Sequence, residues 1–372
     1  MNLLDRYLAR EVLLPMAAGL LFLTQLLLAT QVLSQASILF GAGVSLSDLA
    51  LAIFYVLPYF VGFVLPVAFL LGVVLGVSRL ATDREVVAMG AAGLSPLRLL
   101  RVPLALSLGV AALGLWIALV LEPAGMRASR SLMNDIIRKN VSSEIRPGTF
   151  YDRIPGFTFY AEKVDERGWT DVLIHDRTNP EAPVLSLARS GRLEPVGQGQ
   201  EMRLALADGQ IHREEASSDA YAELNFRSAE LVLGLGASLA SRGDALARNA
   251  RELSLAESRQ LIAADYARGD RAGAWRAEGS LHRKVASALV VVAFALLGVP
   301  LGTSPRAGRA FGAGATLLVM VLHYILLRAG QVLVEEGRFP AWLGLEIGNA
   351  AVAAVGLALL LRLAWRGTGA VR

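Results

Sequence analysis

From Leu49 to Ser78 the chain reads LALAIFYVLPYFVGFVLPVAFLLGVVLGVS, without one charged side chain. A hydrocarbon core about 30 Å thick is crossed by roughly 20 helical residues at 1.5 Å rise each, so this run outlasts a bilayer. It reads as a membrane span, with Pro58 and Pro66 predicted to kink or offset it. Working outward, five more runs approach or exceed the same length. One lies within Val12–Ser47 and another in Val102–Leu121. After a long polar centre come Val285–Pro305, Ala310–Leu327 and Ala341–Leu361, the last interrupted by Glu346 near its start. The spacing predicts a polytopic α-helical membrane protein of six spans, three on each side of an inserted domain.

Composition agrees. Of 372 residues 54% are hydrophobic and only 18% charged, too apolar for an ordinary soluble protein. The polar centre from Glu122 to Ser280 holds 24 acidic and 21 basic residues, which leaves 15 basic against 8 acidic beside the apolar runs. A basic excess in that place points to membrane orientation and not to nucleic-acid binding. The absence of cysteine excludes thiol catalysis, disulfides and Cys-ligated metals. Arg6 and Arg10 precede an apolar run longer than a signal-peptide core and without a persuasive cleavage site, so it reads as a retained first span.

Arginine placement predicts direction. With the amino terminus in the cytoplasm, that face holds Arg6 and Arg10, then Arg79, Arg84, Arg98 and Arg101, then Arg306 and Arg309, then Arg362, Arg366 and Arg372. The opposite short loops are poor in basic residues, since 36–47 has none and Arg328 and Arg338 are offset by Glu335 and Glu336. Three crossings put the central domain outside and six return the carboxyl terminus. The expected organisation is therefore a membrane half over 1–121, an external domain over 122–280, and a second membrane half over 281–372.

The external domain reads as antiparallel β. Phe157–Val164 is aromatic and alternating, Val184–Leu187 is apolar, and Tyr221, Glu223 and Asn225 alternate with Ala222, Leu224 and Phe226. Asp208-Gly209, between Met202–Ala207 and Gln210–Arg213, is a hairpin signal. Beyond Gly236 a helical connector is expected over about 238–280, where Ser254 and Glu257 form a capping box opening a helix through Ala267.

Catalytic signatures are missing: no Walker A pattern, no H-E-x-x-H, no G-x-S-x-G elbow and no acidic cluster with metal spacing occurs. The chain is expected not to be an enzyme and to hold no cofactor or metal. Gly41-Ala42-Gly43 and Gly312-Ala313-Gly314 read as helix packing or loop. The most informative polar stretch is the loop over about 80–95, where Ala81-Thr82-Asp83-Arg84-Glu85-Val86-Val87-Ala88-Met89 precedes Gly90-Ala91-Ala92-Gly93-Leu94-Ser95. It reads as a short helix with a glycine stop, capped by Thr82 with Glu85 three residues on. Two roles stay open for it: an interfacial helix whose Glu85 only caps, or a docking helix. In the second, Val86 and Met89 are apolar anchors on one face, and Arg84 and Glu85 meet a cytoplasmic partner.

At this loop the chain resembles the LptF/LptG family of lipopolysaccharide-export permeases. Three pieces carry the resemblance in order: Leu4-Asp5-Arg6-Tyr7-Leu8-Ala9-Arg10-Glu11; Asp83-Arg84-Glu85 through Gly93-Leu94-Ser95; and His282-Arg283-Lys284 leading to Leu297-Gly298-Val299-Pro300-Leu301-Gly302, Arg306 and Gly308-Arg309. The resemblance implies a half-transporter in the bacterial inner membrane that pairs with a second permease of the family. A cytoplasmic ATPase dimer (LptB-like), which carries the ATP and Mg, would bind the coupling helices, with Glu85 as the leading contact. The external domain would be a periplasmic β-jellyroll passing lipopolysaccharide to similar jellyroll proteins (LptC/LptA-like). Ile145-Arg146-Pro147-Gly148-Thr149-Phe150 leans toward LptF over LptG.

Arg283 and Lys284 at the outer end of the fourth span, and Arg328 at that of the fifth, are candidates to meet lipid phosphates, with snorkelling to water as the plain alternative. Some family members carry basic residues in the outer half of the first span, where Gln31, Ser34, Gln35 and Ser37 stand here. His323 and Glu346 are ionisable groups inside spans; Glu346 is expected to reach water or Arg338, and His323 to sit neutral between helices. The competing functions are another ATP-driven lipid, lipoprotein or mechanotransmission permease, or a non-transporting scaffold. The insertion after the third span, not the first, favours lipopolysaccharide export.

Overall fold

The computed structural model describes residues 3–34, 45–132, 147–151, 157–165, 168–177, 183–196, 201–214, 221–233, 252–304 and 309–366. Gln35, Ser37, Gly41-Ala42-Gly43, Ile145-Arg146, Arg306, Gly308, Arg372 and the connector over 238–251 lie outside them. The chain divides into two compact units: a helical one of residues 1–28, 57–125 and 250–372, and a second of residues 29–56 and 126–249.

Among the described residues six helices are long and apolar enough to cross a membrane: Leu3–Leu33, Leu46–Thr82, Leu97–Leu132, Arg271–Gly302, Gly312–Glu335 and Ala341–Trp365. Three precede the strands and three follow, as the apolar runs predict. They belong to α1 (Leu3–Ser34), α2 (Leu46–Thr82), α4 (Arg101–Trp116), α6 (Arg271–Gly302), α7 (Arg309–Glu335) and α8 (Ala341–Arg366), with α3 (Glu85–Ala91) and α5 (Leu255–Ala267) as short connectors. The third span continues past Leu121 through a π turn at Ile117–Leu121, and the fourth begins well before Val285. Helix backbone bonds are internal, so a helix does not have to stop where its apolar side chains do.

Inside the helical unit α2 is the centre. Its most apolar stretch is 67% buried and that of α6 61%, against 17% for the first and fifth spans. Gly72 and Gly76 face α1 so closely that a Cβ at Gly72 would stand 2.6 Å from Met16 Cβ and one at Gly76 2.5 Å from the Glu11 carbonyl oxygen. On the other side Gly298 and Gly302 of α6 receive Val73 and Val77, whose side-chain carbons would lie 2.7 Å from an added Cβ. Both pairs have the small-xxx-small spacing that lets helix backbones approach in lipid. Gly312 packs near Val74 of α2, as the helix-packing reading of that glycine requires. Pro58 and Pro66 are carried inside α2, which runs on as one helix.

The capping box forms as expected: the Ser254 hydroxyl accepts from the Glu257 amide, and Glu257 accepts from the Ser254 amide. Helix α5 joins the helical unit. Its Tyr266 hydroxyl donates to Glu278 Oε1 of α6 at 3.0 Å, and burial first, then this bond, pushes the hydroxyl above its ordinary value.

In the second unit, β1 (Phe157–Asp165), β2 (Gly168–Asp176), β3 (Val184–Val196), β4 (Glu201–Glu214) and β5 (Tyr221–Leu233) form one antiparallel sheet in sequential order. The expected hairpin at Asp208-Gly209 is absent; β4 runs straight through it and pairs with β3 and β5 on both sides of that point. Asp208 does adopt the left-handed backbone, with φ 51°. The register explains why. Glu162, Asp171, Arg189, Asp208 and Arg227 lie in one transverse row, and at this row every strand turns two successive side chains outward. Ala161, Val172 and Ala188 before it, and Trp169, Gly191 and Leu206 beyond it, all face the core. Asp171, with φ 50°, is the equivalent point of β2. The dipeptide thus makes a shared kink, and Gly209 is needed because a Cβ there would stand 2.6 Å from Phe226 Cζ. The core of this unit is Phe157, Phe159, Trp169, Ile174, Leu204 and Leu206 with smaller neighbours.

Gly72→Leu is expected to lower stability by about 1–3 kcal/mol through overpacking, read as a lower midpoint of thermal unfolding in mild detergent. Gly314→Leu, where a Cβ meets nothing within 4 Å, should leave the midpoint in place; equal effects would refute the close-approach account.

Candidate functional site

The turn from α2 into α3 is not the capping box expected there. Thr82 closes α2, its Oγ1 donating to the Ser78 carbonyl at 2.8 Å, and Arg84 takes the N-cap of α3 with φ 59° and no side-chain cap. Thr82 is the last residue of α2 and stands two positions before the N-cap, so its oxygen is not placed to accept from the first amides of α3. Glu85 is instead held by the amino terminus: the Tyr7 hydroxyl lies 2.9 Å from both of its carboxylate oxygens. The glycine stop is present, with Gly93 at φ 80° and the Leu94 amide donating to the Met89 carbonyl at 3.0 Å.

Two ion pairs flank this contact. Arg98 of the 3₁₀ turn Pro96–Leu100 meets Asp5 at 2.9 Å, each side chain under one-fifth exposed, and Arg79 at the end of α2 meets Glu11 at 2.8 Å. The first helical turns of α1 therefore grip the chain at three points, on α2, on α3 and on the 3₁₀ turn. Beneath them Leu8 and Val12 are buried with Val86 in the main apolar core, and Met89 packs against that core. Val86 and Met89 do share a face, but it is turned into the chain itself. The outward face of α3 and its cap carries Arg84, Val87, Ala88 and Ala91.

The basic candidates near the later spans are placed differently from one another. Lys284 is buried, its Nζ 3.5 Å from the Leu253 carbonyl, Arg283 is half-buried beside it, and Arg328 on α7 is exposed. On α8, Glu346 accepts from the Asn349 amide at 2.7 Å, and the same amide nitrogen donates to the Ala286 carbonyl at 2.9 Å. Arg338 pairs with Glu336 at 2.9 Å, so the expected reach from Glu346 to Arg338 is not made. His323 is buried, its ring edge-on to Phe294 with centroids 5.6 Å apart. Among the described residues no group of three His, Asp or Glu could hold a metal ion.

Residues 6–362 match the family described as lipopolysaccharide export system permease LptF/LptG. The chain belongs to the LptF/LptG family. A search among curated proteins found no match to it. As an LptF/LptG permease it is a membrane component of lipopolysaccharide export, part of a transporter.

What the sequence reading of this LptF/LptG chain missed is the partner set of the segment around α3. Asp5, Tyr7 and Glu11 occur in the quoted amino-terminal motif, yet nothing in one sequence says that they meet residues 68 to 93 positions away. The G72-V-V-L-G76 and G298-V-P-L-G302 spacings were readable as helix contacts.

In a double-mutant cycle, Asp5→Ala and Arg98→Ala should show a coupling of about 1 kcal/mol, the size usual for contacting residues. Tyr7→Phe should raise deuterium uptake over 85–91. A coupling of zero together with unchanged uptake would remove the three-point grip.

Proposed function

We propose that this chain is one permease subunit of an ATP-driven lipopolysaccharide exporter of the bacterial inner membrane. In this reading both termini are cytoplasmic and the β-unit is periplasmic. The observation that carries it is the coupling segment: a short helix held at Glu85 by Tyr7, with Glu11–Arg79 and Asp5–Arg98 pairs fixing the chain before and after it, and with Arg84, Val87, Ala88 and Ala91 left facing outward. A brace of that kind lets a cytoplasmic partner push on α3 and have the push arrive at α1, the first span. Arg84 and Glu85 supply the charges and Val87 the apolar contact for an ATPase subunit, in place of the inward Val86 and Met89.

The second half of the reading concerns lipid. The first and fifth spans are little buried and carry exposed Leu21, Phe22, Leu317 and Leu318, which suits contact with acyl chains or a second permease. Exposed Arg328 is the best placed of the basic candidates to attract phosphate; Lys284 is already turned to a backbone carbonyl. Lipid drawn from the outer leaflet would pass to the β-unit and on to periplasmic jellyroll proteins.

Purification from the native membrane in mild detergent, with mass spectrometry of bound proteins and lipids, tests the whole reading. Glu85→Lys and Val87→Asp should each weaken retention of the ATPase roughly tenfold, equivalent to about 1.4 kcal/mol, while membrane insertion is unchanged. Undiminished retention in both would count against docking through α3. Charge reversal at Arg328 should reduce crosslinking to lipopolysaccharide more than Gln31→Ala does, and equal yields would leave only snorkelling.

A further inference from the structure

The kink row creates a surface that the membrane chemistry does not use. Across the sheet runs a groove of about 800 Å³, with Tyr160 and Asn225 on the row at one side and Asp171, Arg189, Asp208 and Arg227 on the other. The four charged residues come from four successive strands, alternate in sign along β2 to β5 and are exposed. Neighbouring strands lie about 4.8 Å apart, yet none of the four has a side-chain hydrogen bond or ion pair among the described residues. At the β1 side the Tyr160 ring leans on Phe150, centroids 4.9 Å apart.

The chemistry of this lining selects its occupant. The groove crosses the strands, whose backbone groups are already engaged in the ladders, so a ligand is read by side chains and not by strand addition. Acyl chains would bury four charges. A polyanion would gain two guanidinium groups and meet two carboxylates. A neutral saccharide suits both sides: its hydroxyls both donate and accept, so the carboxylates accept from them and the guanidinium groups and Asn225 donate to them, while the Tyr160 ring with Leu173 and Leu187 beside it gives an apolar surface for the C–H face of a sugar. We propose that this outer groove of the β-unit binds a neutral saccharide. The lining chemistry holds whether the sugar belongs to the transported glycolipid or to a free periplasmic glycan; only the first source rests on the export reading.

The test uses the full-length chain in mild detergent, titrated with core oligosaccharide freed of lipid A and of its acidic inner sugars, a neutral glucan oligosaccharide and lipid A, followed by saturation-transfer NMR and calorimetry. Expected is binding of core oligosaccharide or glucan that weakens at least about tenfold in Asp208→Asn, which keeps a residue tolerant of left-handed backbone, and in Arg189→Gln. Lys163→Gln, one row away, should bind as the parent does, and thermal melts should show all three folded. Preference for the core oligosaccharide assigns the sugar to the glycolipid, and equal binding of glucan assigns it to a free glycan. Binding of lipid A alone, no saccharide binding, or full affinity in both groove variants would overturn the proposal. ATPase retained in the same preparation reports separately on the coupling segment, so failure of the groove is told apart from failure of the export reading.

Discussion

The approach of α1 and α6 to opposite sides of α2 is the contact on which the helical unit depends. In lipid there is no apolar driving force between helices, so close backbone packing and dispersion must hold them together. Gly72 and Gly76 remove the side chains that would keep α1 away, and Gly298 and Gly302 make room for Val73 and Val77. The result is a helix whose Phe69, Leu70, Val73 and Val74 have no exposed surface. The other spans arrange themselves around that centre, with α7 touching it through Gly312.

That packing also sets the segment around α3. Because α1 lies against α2, its first turns come level with the far end of α2, where Glu11 meets Arg79, Tyr7 meets Glu85 and Asp5 meets Arg98. Half-buried pairs of this kind are worth more than surface pairs, since less water screens them. Mechanical continuity follows: α3 is attached to the first span as well as to the second and third, between which it lies in sequence. A short helix of seven residues would be a poor lever alone. Held at its first residue and seated on Val86, it is anchored to the bundle.

The β-unit obeys a different constraint. One face of its sheet must cover Phe159, Trp169 and Leu204, and the strands keep their apolar residues inward across a row where the alternation slips. All five strands slip together, so pairing survives and the discontinuity appears as a groove. A slip in one strand would have cost its ladder; a slip in all costs only the left-handed backbone at Asp171 and Asp208, residue types that tolerate it.

Apolar run length determined six spans in two sets of three, and alternation within the polar centre determined the β-unit between them, because burial of apolar length and satisfaction of backbone bonds leave few other solutions for such a sequence. The cap at Ser254 and the stop at Gly93 were equally local, and equally legible. Tertiary structure decided what local signals could not. Thr82 and Glu85 spelled a capping box, but α2 took in Thr82 as its last residue and Tyr7 took the carboxylate. Val86 and Met89 marked an apolar face without saying that the chain's own core would fill it. Asp208-Gly209 carried a turn's backbone preference, and pairing with β3 and β5 over the full strand turned it into a kink. In each case the residue type fixed which conformations were cheap, and partners distant in sequence chose among them.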